Sequence, residues 1–465
     1  MIKLLAGRCP GDTLVDGVVR LLTDAIESRQ LPQGAKLASI RQCAIDLGVS
    51  KSTIVEAYDR LVANGLVRSR PKSGFYVQSR PDVLKIAAVD SLSRRDVDEF
   101  WLLRNSVQPS THALRPGCGW LPTNYLNAEG IRRAMGVVRK EPDKALVDYG
   151  SPAGLPTLRG QLLKHLQSRA IDAQIAQVLL TDSGSQALDL AFRFLLKPGD
   201  TVFVDDPCYF NFLACLRAHR VRIVGIPLTP TGPDMHAFAH AAALHRPRLY
   251  VTNSVLQNPT GITFSSACAH RILTLAQQFD IAIVEDDTFA DLQESPGPRL
   301  SSLDSLRRSL YIGSFSKTVS GTVRCGYIVA PTDWTESLLD LKLATSYGNN
   351  EVSARIIHQI LTDGSYRKHV EAVRSKLRRI RPRVKKELAD SGLTLWSDPE
   401  EGLFLWASSE GVDMTQLALK GIDENIVLAP GNVFSVSGTA QHFMRFNVAH
   451  TQHPNLFEFL RRSKS

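Results

Sequence analysis

Three patterns are missing from this 465-residue sequence, and each absence excludes a class of protein. No apolar run is long enough to cross a membrane, and Leu4-Leu5-Ala6 is too short for the core of a signal peptide. The seven cysteines are scattered and form no Cys-x-x-Cys pair, which argues against a zinc site and a disulfide framework. We therefore expect a soluble cytoplasmic protein with free thiols, without a metal and without a membrane partner.

The composition is otherwise that of a globular protein with a basic balance. Hydrophobic residues make up 43% of the chain and charged residues 22%. The length suffices for a small domain and one large α/β domain. A net charge of +9 permits binding to a polyanion but does not identify one.

The N-terminal segment begins with two helix patterns. Ser39 and Gln42 form a capping-box pattern that opens a short helix from Ile40 to Leu47, and Gly48 fits the left-handed residue that ends it. An amphipathic helix is predicted before it. Apolar residues recur there at i, i+3, i+4, i+7 and i+11, namely Val15, Val18, Val19, Leu22 and Ile26.

A third helix and a hairpin complete the segment. Ser50 caps the helix, and its first turn presents Lys51, Ser52 and Thr53, where recognition helices usually meet base edges and phosphates. Two short helices joined by a tight glycine turn indicate a helix-turn-helix. Beyond Gly65, two apolar strand-like pieces flank the basic turn Arg70-Pro71-Lys72-Ser73-Gly74, which predicts a β-hairpin wing.

Residues 14–77 resemble the winged helix of GntR-type bacterial regulators. The motifs that carry the resemblance are Ser39-Ile40-Arg41, Gly48-Val49-Ser50-Lys51-Ser52-Thr53 and Ser73-Gly74-Phe75-Tyr76-Val77, while Ala38 stands where a proline is common. The basic residues Arg68, Arg70 and Lys72 are expected against the sugar-phosphate backbone. The resemblance implies DNA binding by Ser39, Arg41, Ser50, Lys51, Ser52, Thr53, Arg68, Arg70, Lys72, Ser73 and Gly74. The alternative is a small helical domain that docks another protein.

A linker is predicted between two domains. Apolar periodicity breaks down over residues 80–111, where Pro81 and Pro109 stand near the two ends and charges alternate in sign. This segment carries at most a partial helix around Val97 to Leu103. We therefore predict a DNA-binding domain over residues 1–79, the linker, and an effector domain over residues 112–465.

A lysine motif predicts the chemistry of the effector domain. Lys317 ends the run Gly313-Ser314-Phe315-Ser316-Lys317, and Arg324 follows seven residues later. A lysine among small and hydroxyl residues can form a Schiff base with an aldehyde, and the serines and the arginine can donate to a phosphate. Together they predict an anchor for pyridoxal phosphate.

Four further motifs, with five candidate residues, follow strand-like runs. Gly184 and Ser185 open a helix, whose unpaired amides and dipole form an anion site. Tyr209 can stack on the pyridine ring, although ordinary core packing would also account for it. Asn258 can donate to the phenolic oxygen of the cofactor, or it can be a simple Asn-Pro turn. Asp286 can pair with the pyridinium nitrogen and keep it protonated, or it can lie in a solvated loop.

In series, these motifs resemble fold-type I aminotransferases along most of residues 112–465. The resemblance implies that Gly184, Ser185, Ser314, Ser316 and Arg324 hold the phosphate, that Tyr209, Asn258 and Asp286 contact the ring, and that Lys317 carries the Schiff base. It implies that Tyr149 reaches the phosphate of a neighbouring subunit in a homodimer, and that Arg445 binds a carboxylate through a bidentate pair. A surface or salt-bridge role is the alternative for Arg445.

The sequence departs from this pattern at one place. Aminotransferases have a tyrosine three residues after the aspartate, and the regulator branch tends to have one two residues after it, but these positions hold Phe289 and Thr288. A phenolic donor to the cofactor is therefore missing or supplied from elsewhere. Asn258 and Thr288 remain as donors, so we expect cofactor binding without efficient transamination.

The whole chain resembles the MocR family of transcriptional regulators, which join a GntR-like winged helix to an aminotransferase-like α/β domain. The resemblance implies a regulator that binds double-stranded operator DNA and senses pyridoxal phosphate, an amine or an amino acid as an aldimine. Arg445 favours an effector with a carboxylate. One alternative is an active aminotransferase with an accessory DNA-binding domain. Another is a pure vitamin sensor, in which Arg445 is only structural.

Overall fold

The computed structural model of the chain describes residues 13–28, 30–71, 73–78, 97–107 and 112–463. It divides into two compact units, Met1–Arg94 and Arg95–Ser465. The predicted DNA-contact residue Lys72 and most of the predicted linker lie outside the described residues. In the described ranges, no helix combines the length and the apolar character that a membrane span requires.

The first unit is a small helical domain with a two-stranded hairpin. Its elements are α1 (Leu14–Glu27), α2 (Ile40–Leu47), α3 (Lys51–Ala63), β1 (Val67–Arg70) and β2 (Gly74–Val77). The predicted apolar stripe of α1 packs into its core, where Val18 and Tyr58 are fully buried. The backbone φ of Gly48 is 65°, in the left-handed region, so this glycine ends α2 as predicted.

The cap of α2 differs from the prediction in one detail. The Ser39 hydroxyl accepts from the backbone N–H of Gln42 at 3.2 Å, but the Gln42 side chain donates to Asp46 at 2.8 Å instead of returning to Ser39. The predicted capping box is therefore only half formed. A complete capping box occurs at the start of α1, between Thr13 and Asp16.

The second unit is built on a large mixed sheet. Its strands are β3 (Val178–Thr181), β4 (Thr201–Asp206), β5 (Arg222–Thr229), β6 (Gly232–Pro233), β7 (Leu249–Thr252), β8 (Ala282–Asp286), β9 (Ser309–Ser314) and β10 (Gly326–Val329), in the spatial order β3-β10-β9-β8-β7-β4-β5-β6. The interior strands β5, β4, β7, β8 and β9 are parallel, whereas β10 runs antiparallel to β9 and β3.

Helices surround this sheet and a smaller sheet follows it. The helices are α4 (Glu99–Val107), α5 (Ala128–Val138), α6 (Asp143–Val147), α7 (Pro156–Gln167), α8 (Gly184–Leu195), α9 (Phe210–Ala218), α10 (Met235–His245), α11 (Ser266–Gln278), α12 (Leu300–Leu303), α13 (Thr335–Ser346), α14 (Glu351–Thr362), α15 (Ser365–Asp390), α16 (Met414–Asp423) and α17 (Pro454–Arg462). The antiparallel second sheet has the order β11 (Thr394–Leu395), β12 (Phe404–Ser408), β14 (Phe443–Asn447) and β13 (Ala429–Pro430).

The strand directions explain where the candidate residues meet. The carboxyl ends of β3, β4, β7, β8 and β9 lie at one edge of the large sheet, where ligands bind in open α/β sheets. Because β10 runs the opposite way, its beginning lies at that same edge. The topology therefore brings together the candidates that follow or precede these ends: Gly184, Tyr209, Asn258, Asp286, Lys317 and Arg324.

The helix α4 falls inside the predicted linker but packs within the second unit. Leu102 is fully buried and shares a hydrophobic cluster with Phe210, Trp406 and Phe434. The observed helix runs from Glu99 to Val107 rather than from Val97 to Leu103. The burial of its apolar side chains stabilises this helix, although the sequence of the segment lacks a regular apolar period.

Candidate functional site

A cavity of about 180 Å³ lies at the sheet edge where the strand ends converge. Eight of the predicted cofactor residues line it, namely Gly184, Ser185, Tyr209, Asp286, Ser314, Ser316, Lys317 and Arg324, together with Ser183, Leu188, Thr288 and Phe289. Asn258 is buried and contacts Arg445. Tyr149 is not among the residues that line this cavity.

The lining of the cavity includes the N-terminus of α8. The Ser183 hydroxyl caps α8 by accepting from the Gln186 N–H at 3.0 Å, and the first-turn amides of Gly184 and Ser185 have no partner within the helix. A Cβ on Gly184 would lie 3.3 Å from the Thr288 hydroxyl oxygen and 3.5 Å from the Ser314 Cβ. The glycine therefore lets the helix N-terminus approach the serine loop closely, as a phosphate site requires.

Lys317 lines the same cavity. Its side chain is half-buried, and its Nζ donates to the backbone oxygen of Gly119 at 2.8 Å. Burial, reinforced by the positive charge of Arg445, lowers the pKa of Lys317 to about 8, although Asp286 opposes the shift. The neutral amine is the nucleophile toward an aldehyde, so this pKa makes Lys317 more reactive near neutral pH than an exposed lysine.

This pKa predicts how fast apoprotein should attach pyridoxal phosphate at different pH values. The neutral fraction of Lys317 rises about tenfold per pH unit below its pKa and saturates above it. The attachment rate should therefore rise with pH, reach half of its maximum near pH 8 and level off above that pH. Stopped-flow absorbance between about pH 6 and pH 10 measures it. A rate that keeps rising through pH 10 would indicate an ordinary solvated lysine and contradict the prediction.

Asp286 is held at the end of β8 by its neighbours. It is 4% exposed, and its carboxylate accepts from the Thr288 hydroxyl and from the Thr288 backbone N–H at 3.1 Å. Burial raises the pKa of Asp286, with the hydrogen bonds from Thr288 opposing the shift. A cation placed against this carboxylate would favour its ionised form. The solvated-loop alternative for Asp286 is therefore wrong.

The two positions that lack the expected tyrosine have different surroundings. The Thr288 hydroxyl donates to Asp286, so it orients the carboxylate and is not a free donor for a cofactor oxygen. The Phe289 ring forms part of the cavity wall, with its centroid 5.7 Å from the Lys317 Nζ and 5.2 Å from the Phe404 centroid. Neither position supplies a phenol.

Arg445 is a buried cation in the middle of β14. It is 1% exposed and donates to the Asn258 Oδ1 at 2.7 Å and to the Gly117 backbone oxygen at 2.6 Å. Its Nε has no partner within the described part of the chain. Burial lowers the pKa of Arg445 to about 10. Its guanidinium carbon lies 4.6 Å and 4.8 Å from the ring centroids of Phe404 and Phe434.

These contacts overturn the surface and salt-bridge alternatives for Arg445. No carboxylate of the described residues lies within ion-pair distance, so the buried charge lacks a counter-anion. Such a charge is costly unless a ligand neutralises it. Asn258 accepts from Arg445 through its carbonyl oxygen, which leaves its amide group as a donor for another partner.

Sequence reasoning missed the segment around Gly119, which contacts Lys317 and lies close to Arg445. A Cβ on Gly119 would lie 3.6 Å from the Arg445 Nη2 and 4.0 Å from the Lys317 Nζ. A wider cavity of about 740 Å³ adjoins Lys317 on the side of Trp120 and Leu121. The close glycine pair in Pro116-Gly117-Cys118-Gly119 was the available signal, because glycines mark close approaches of the backbone to a ligand.

The predicted DNA-contact residues lie at exposed or partly exposed positions in the first unit. Arg41, Lys51, Arg68 and Arg70 are exposed, and Ser50 caps α3 by accepting from the Thr53 N–H at 3.1 Å. Ser39, Ser50 and Ser52 are also exposed, whereas Thr53, Ser73 and Gly74 are half-buried. The N-terminus of α3 therefore presents hydroxyls and one lysine to solvent.

The wing is stiffened by contacts with Tyr76. The guanidinium carbon of Arg70 lies 4.7 Å from the Tyr76 ring centroid, and the Tyr76 hydroxyl pairs with the Ser73 hydroxyl at 2.7 Å. Lys36, which the sequence analysis did not select, forms a backbone bridge with Tyr76 and extends the basic surface of the wing.

The two units define a winged-helix protein joined to an aminotransferase-type α/β unit. Residues 124–462 match the family of class I and II aminotransferases, and residues 14–77 match the bacterial regulatory proteins of the gntR family. The chain belongs to the class I and II aminotransferase family and carries an N-terminal GntR domain, which is the domain combination that the resemblance to MocR regulators predicts. The predicted fold class is thereby confirmed.

Individual relatives are similar over most of the chain. The HTH-type transcriptional regulator YdfD of Bacillus subtilis is 29% identical over 443 residues, 90% of this chain and 89% of the relative. Aromatic-amino-acid aminotransferase 1 of Thermococcus litoralis is 29% identical over 339 residues, 70% of this chain and 81% of the enzyme. The structure of Pyrococcus horikoshii kynurenine aminotransferase has a TM-score of 0.72 at 23% identity, covers 82% of this chain and 97% of that protein, and supports the fold.

Proposed function

We propose that this protein is a transcriptional regulator that binds operator DNA through the winged helix and uses pyridoxal phosphate in the second unit to sense an amino compound. The observation that carries the proposal is a lysine of lowered pKa in a cavity with an anion cradle and a buried carboxylate, in the same chain as an exposed recognition helix. The regulator names of relatives that match both units support it.

The cavity residues fit pyridoxal phosphate. Gly184, Ser185, Ser314, Ser316 and Arg324 would hold the phosphate, and Tyr209 would cover the ring. The group supplies an aldehyde that condenses with an amine, with loss of water, and a ring that withdraws electrons. Lys317 would provide the amine, Asn258 an amide donor, and Asp286 a carboxylate to pair with the ring nitrogen.

Arg445 supports an effector that carries a carboxylate beside its amine. Its buried charge lacks a counter-anion among the described residues, and both Arg445 and Lys317 lie close to Gly119. An amino acid whose amine replaces that of Lys317 would bring its carboxylate toward the guanidinium. The vitamin sensor without an amino substrate leaves this charge unexplained.

We also propose a homodimer in which Tyr149 completes the site of the neighbouring subunit. Tyr149 is 86% exposed, its ring centroid lies 5.9 Å from that of Tyr347, and Tyr347 is itself 74% exposed. Val147, two residues before Tyr149, is 83% exposed. Exposed apolar side chains grouped in this way mark an interaction surface.

The second candidate function is a working aminotransferase, favoured by the nearly complete set of cavity residues. The absence of a phenol at positions 288 and 289 weighs against efficient turnover. Visible absorption during titration with a panel of amino acids and amines separates the two functions. A persistent shift with one compound supports a sensor. Progressive conversion to the amine form of the cofactor, reversed by an oxo acid, would demote the DNA-binding unit to an accessory.

The placement of the recognition helix predicts two variants with weakened DNA binding. Arg41→Ala and Lys51→Ala should each lower operator affinity about tenfold, because each removes a charged contact worth about 1–3 kcal/mol. The visible spectrum of the cofactor should not change. Fluorescence anisotropy with an operator selected from a random pool measures the weakening. Wild-type affinity in both variants would refute the proposed position of the helix.

A further inference from the structure

The long helix α15 has two opposite faces of different character. It spans 26 residues, and its buried residues recur at helical spacing: Tyr366, Val370, Val373, Leu377, Arg381, Val384 and Leu388. The side chains of Lys368, Arg379, Arg383 and Lys386 are exposed. At about 100° per residue these four lie within about 60° of one another and point away from the buried face. We call these four residues the basic stripe.

The basic stripe carries uncompensated positive charge. None of its four residues makes a hydrogen bond or ion pair with any residue that the structure describes. Two other cations of the same helix are paired: Arg378 with Glu294, and Lys385 with Asp398. Within the stripe the intervening positions are filled by Ala372, Ser375 and Pro382. Three acidic residues of the helix neighbour the stripe: Glu371 lies beside Arg367, Glu387 lies beside Arg461, and Asp390 is the last residue of the helix.

The dimensions and chemistry of the stripe suit a nucleic-acid backbone. Its four cations are spread over about 27 Å of one helix, at about 1.5 Å per residue, and duplex DNA carries one negative charge per about 1.7 Å. The side chains of lysine and arginine only donate hydrogen bonds, and phosphate oxygens accept them. Two of the three neighbouring acidic residues lie beside cations outside the stripe, so the four stripe cations repel one another unless a polyanion neutralises them. The stripe has no exposed large apolar residue to insert into a lipid surface.

We propose that the basic stripe is a second DNA-contact surface, which binds the sugar-phosphate backbone of operator DNA without reading its sequence. The proposal rests on DNA being the partner of the winged helix, because DNA held by that domain is present at high effective concentration for the rest of the same molecule. Contacts of this kind add affinity and salt dependence but leave sequence preference to the recognition helix.

A charge-matched pair of full-length variants tests the proposal. The stripe variant combines Lys368→Gln, Arg379→Gln, Arg383→Gln and Lys386→Gln. The control removes four exposed cations from scattered positions of the same unit through Lys197→Gln, Arg248→Gln, Arg271→Gln and Lys420→Gln. Both variants carry the same change in net charge. Their folding is checked by thermal melting and by the visible spectrum of the bound cofactor.

Binding is measured as a function of salt on a selected duplex of about 60 bp and on one trimmed to the winged-helix footprint. On the long duplex the stripe variant should bind at least about tenfold more weakly at low salt. Its plot of log K against log salt should be shallower by about 0.9 for each phosphate that the stripe no longer neutralises. On the trimmed duplex the two variants should bind alike, and both should select the same sequence.

Three outcomes would overturn the proposal. The first is equal salt slopes for the stripe variant and the control on the long duplex. The second is a changed sequence preference in the stripe variant. The third is a stripe variant that keeps the salt slope of DNA binding but no longer binds vesicles containing phosphatidylglycerol. That result would identify the stripe as a membrane-binding surface. If wild-type protein binds no DNA, the proposed function fails as a whole. If Lys51→Ala weakens binding but the stripe variant does not, only this inference fails.

Discussion

Lys317→Ala should abolish covalent attachment of pyridoxal phosphate while leaving the protein folded. We propose the Lys317 amine as the nucleophile of the cavity, and burial lowers its pKa to about 8. Its Nζ makes one hydrogen bond, to the Gly119 oxygen, so truncation breaks no ion pair. Borohydride reduction followed by mass spectrometry should find the phosphopyridoxyl adduct in wild-type protein and only background in the variant.

The chain offers a matched control in a second buried lysine. Lys342 is 1% exposed, and burial lowers its pKa to about 8 as well, but its Nζ donates to the Pro152 oxygen at 2.5 Å away from the cavity. Lys342→Met should keep the reducible adduct at the wild-type level. A wild-type yield of adduct in Lys317→Ala, or its loss in Lys342→Met alone, would refute the assignment of Lys317.

The candidate site was largely predictable because its residues follow strand ends in chain order. Buried strands produce continuous apolar runs, and the residue types after each run are local in the sequence. Parallel strands then bring those local motifs to one edge. Tyr209, Asp286 and Lys317 could thus be selected before their distances were known, and the cavity lined by all three is consistent with that selection.

Contacts between distant segments could not be predicted in this way. The hydrogen bond from Lys317 to Gly119 joins residues 198 positions apart, and no periodicity encodes it. The helix α4 was predicted only as a partial helix within a linker, because its burial against Phe434 depends on a partner more than three hundred residues later. Thr288 was considered as a donor to the cofactor, but its hydroxyl lies closer to Asp286 and donates there.

Arg445→Met should weaken binding of amino acids to the cofactor-loaded protein by about a hundredfold, while binding of the matching amines without a carboxylate stays unchanged. A charge-assisted pair inside a buried site is worth about 3 kcal/mol, which corresponds to roughly that factor. Methionine approximates the volume of the arginine stem and preserves the packing against Phe404 and Phe434. Spectral titration with an amino acid and with its decarboxylated amine measures the difference between the two ligands.

A second buried arginine separates this effect from general destabilisation. Arg381 is 4% exposed, burial lowers its pKa to about 10, and it donates to the Gly402 backbone oxygen at 2.5 Å outside the cavity. Arg381→Met should lower thermal stability without changing the preference for amino acids over amines. Equal losses for both ligands in Arg445→Met would mean that Arg445 supports the fold of the site. The carboxylate would then have to bind another group, and the effector class proposed from Arg445 would be wrong.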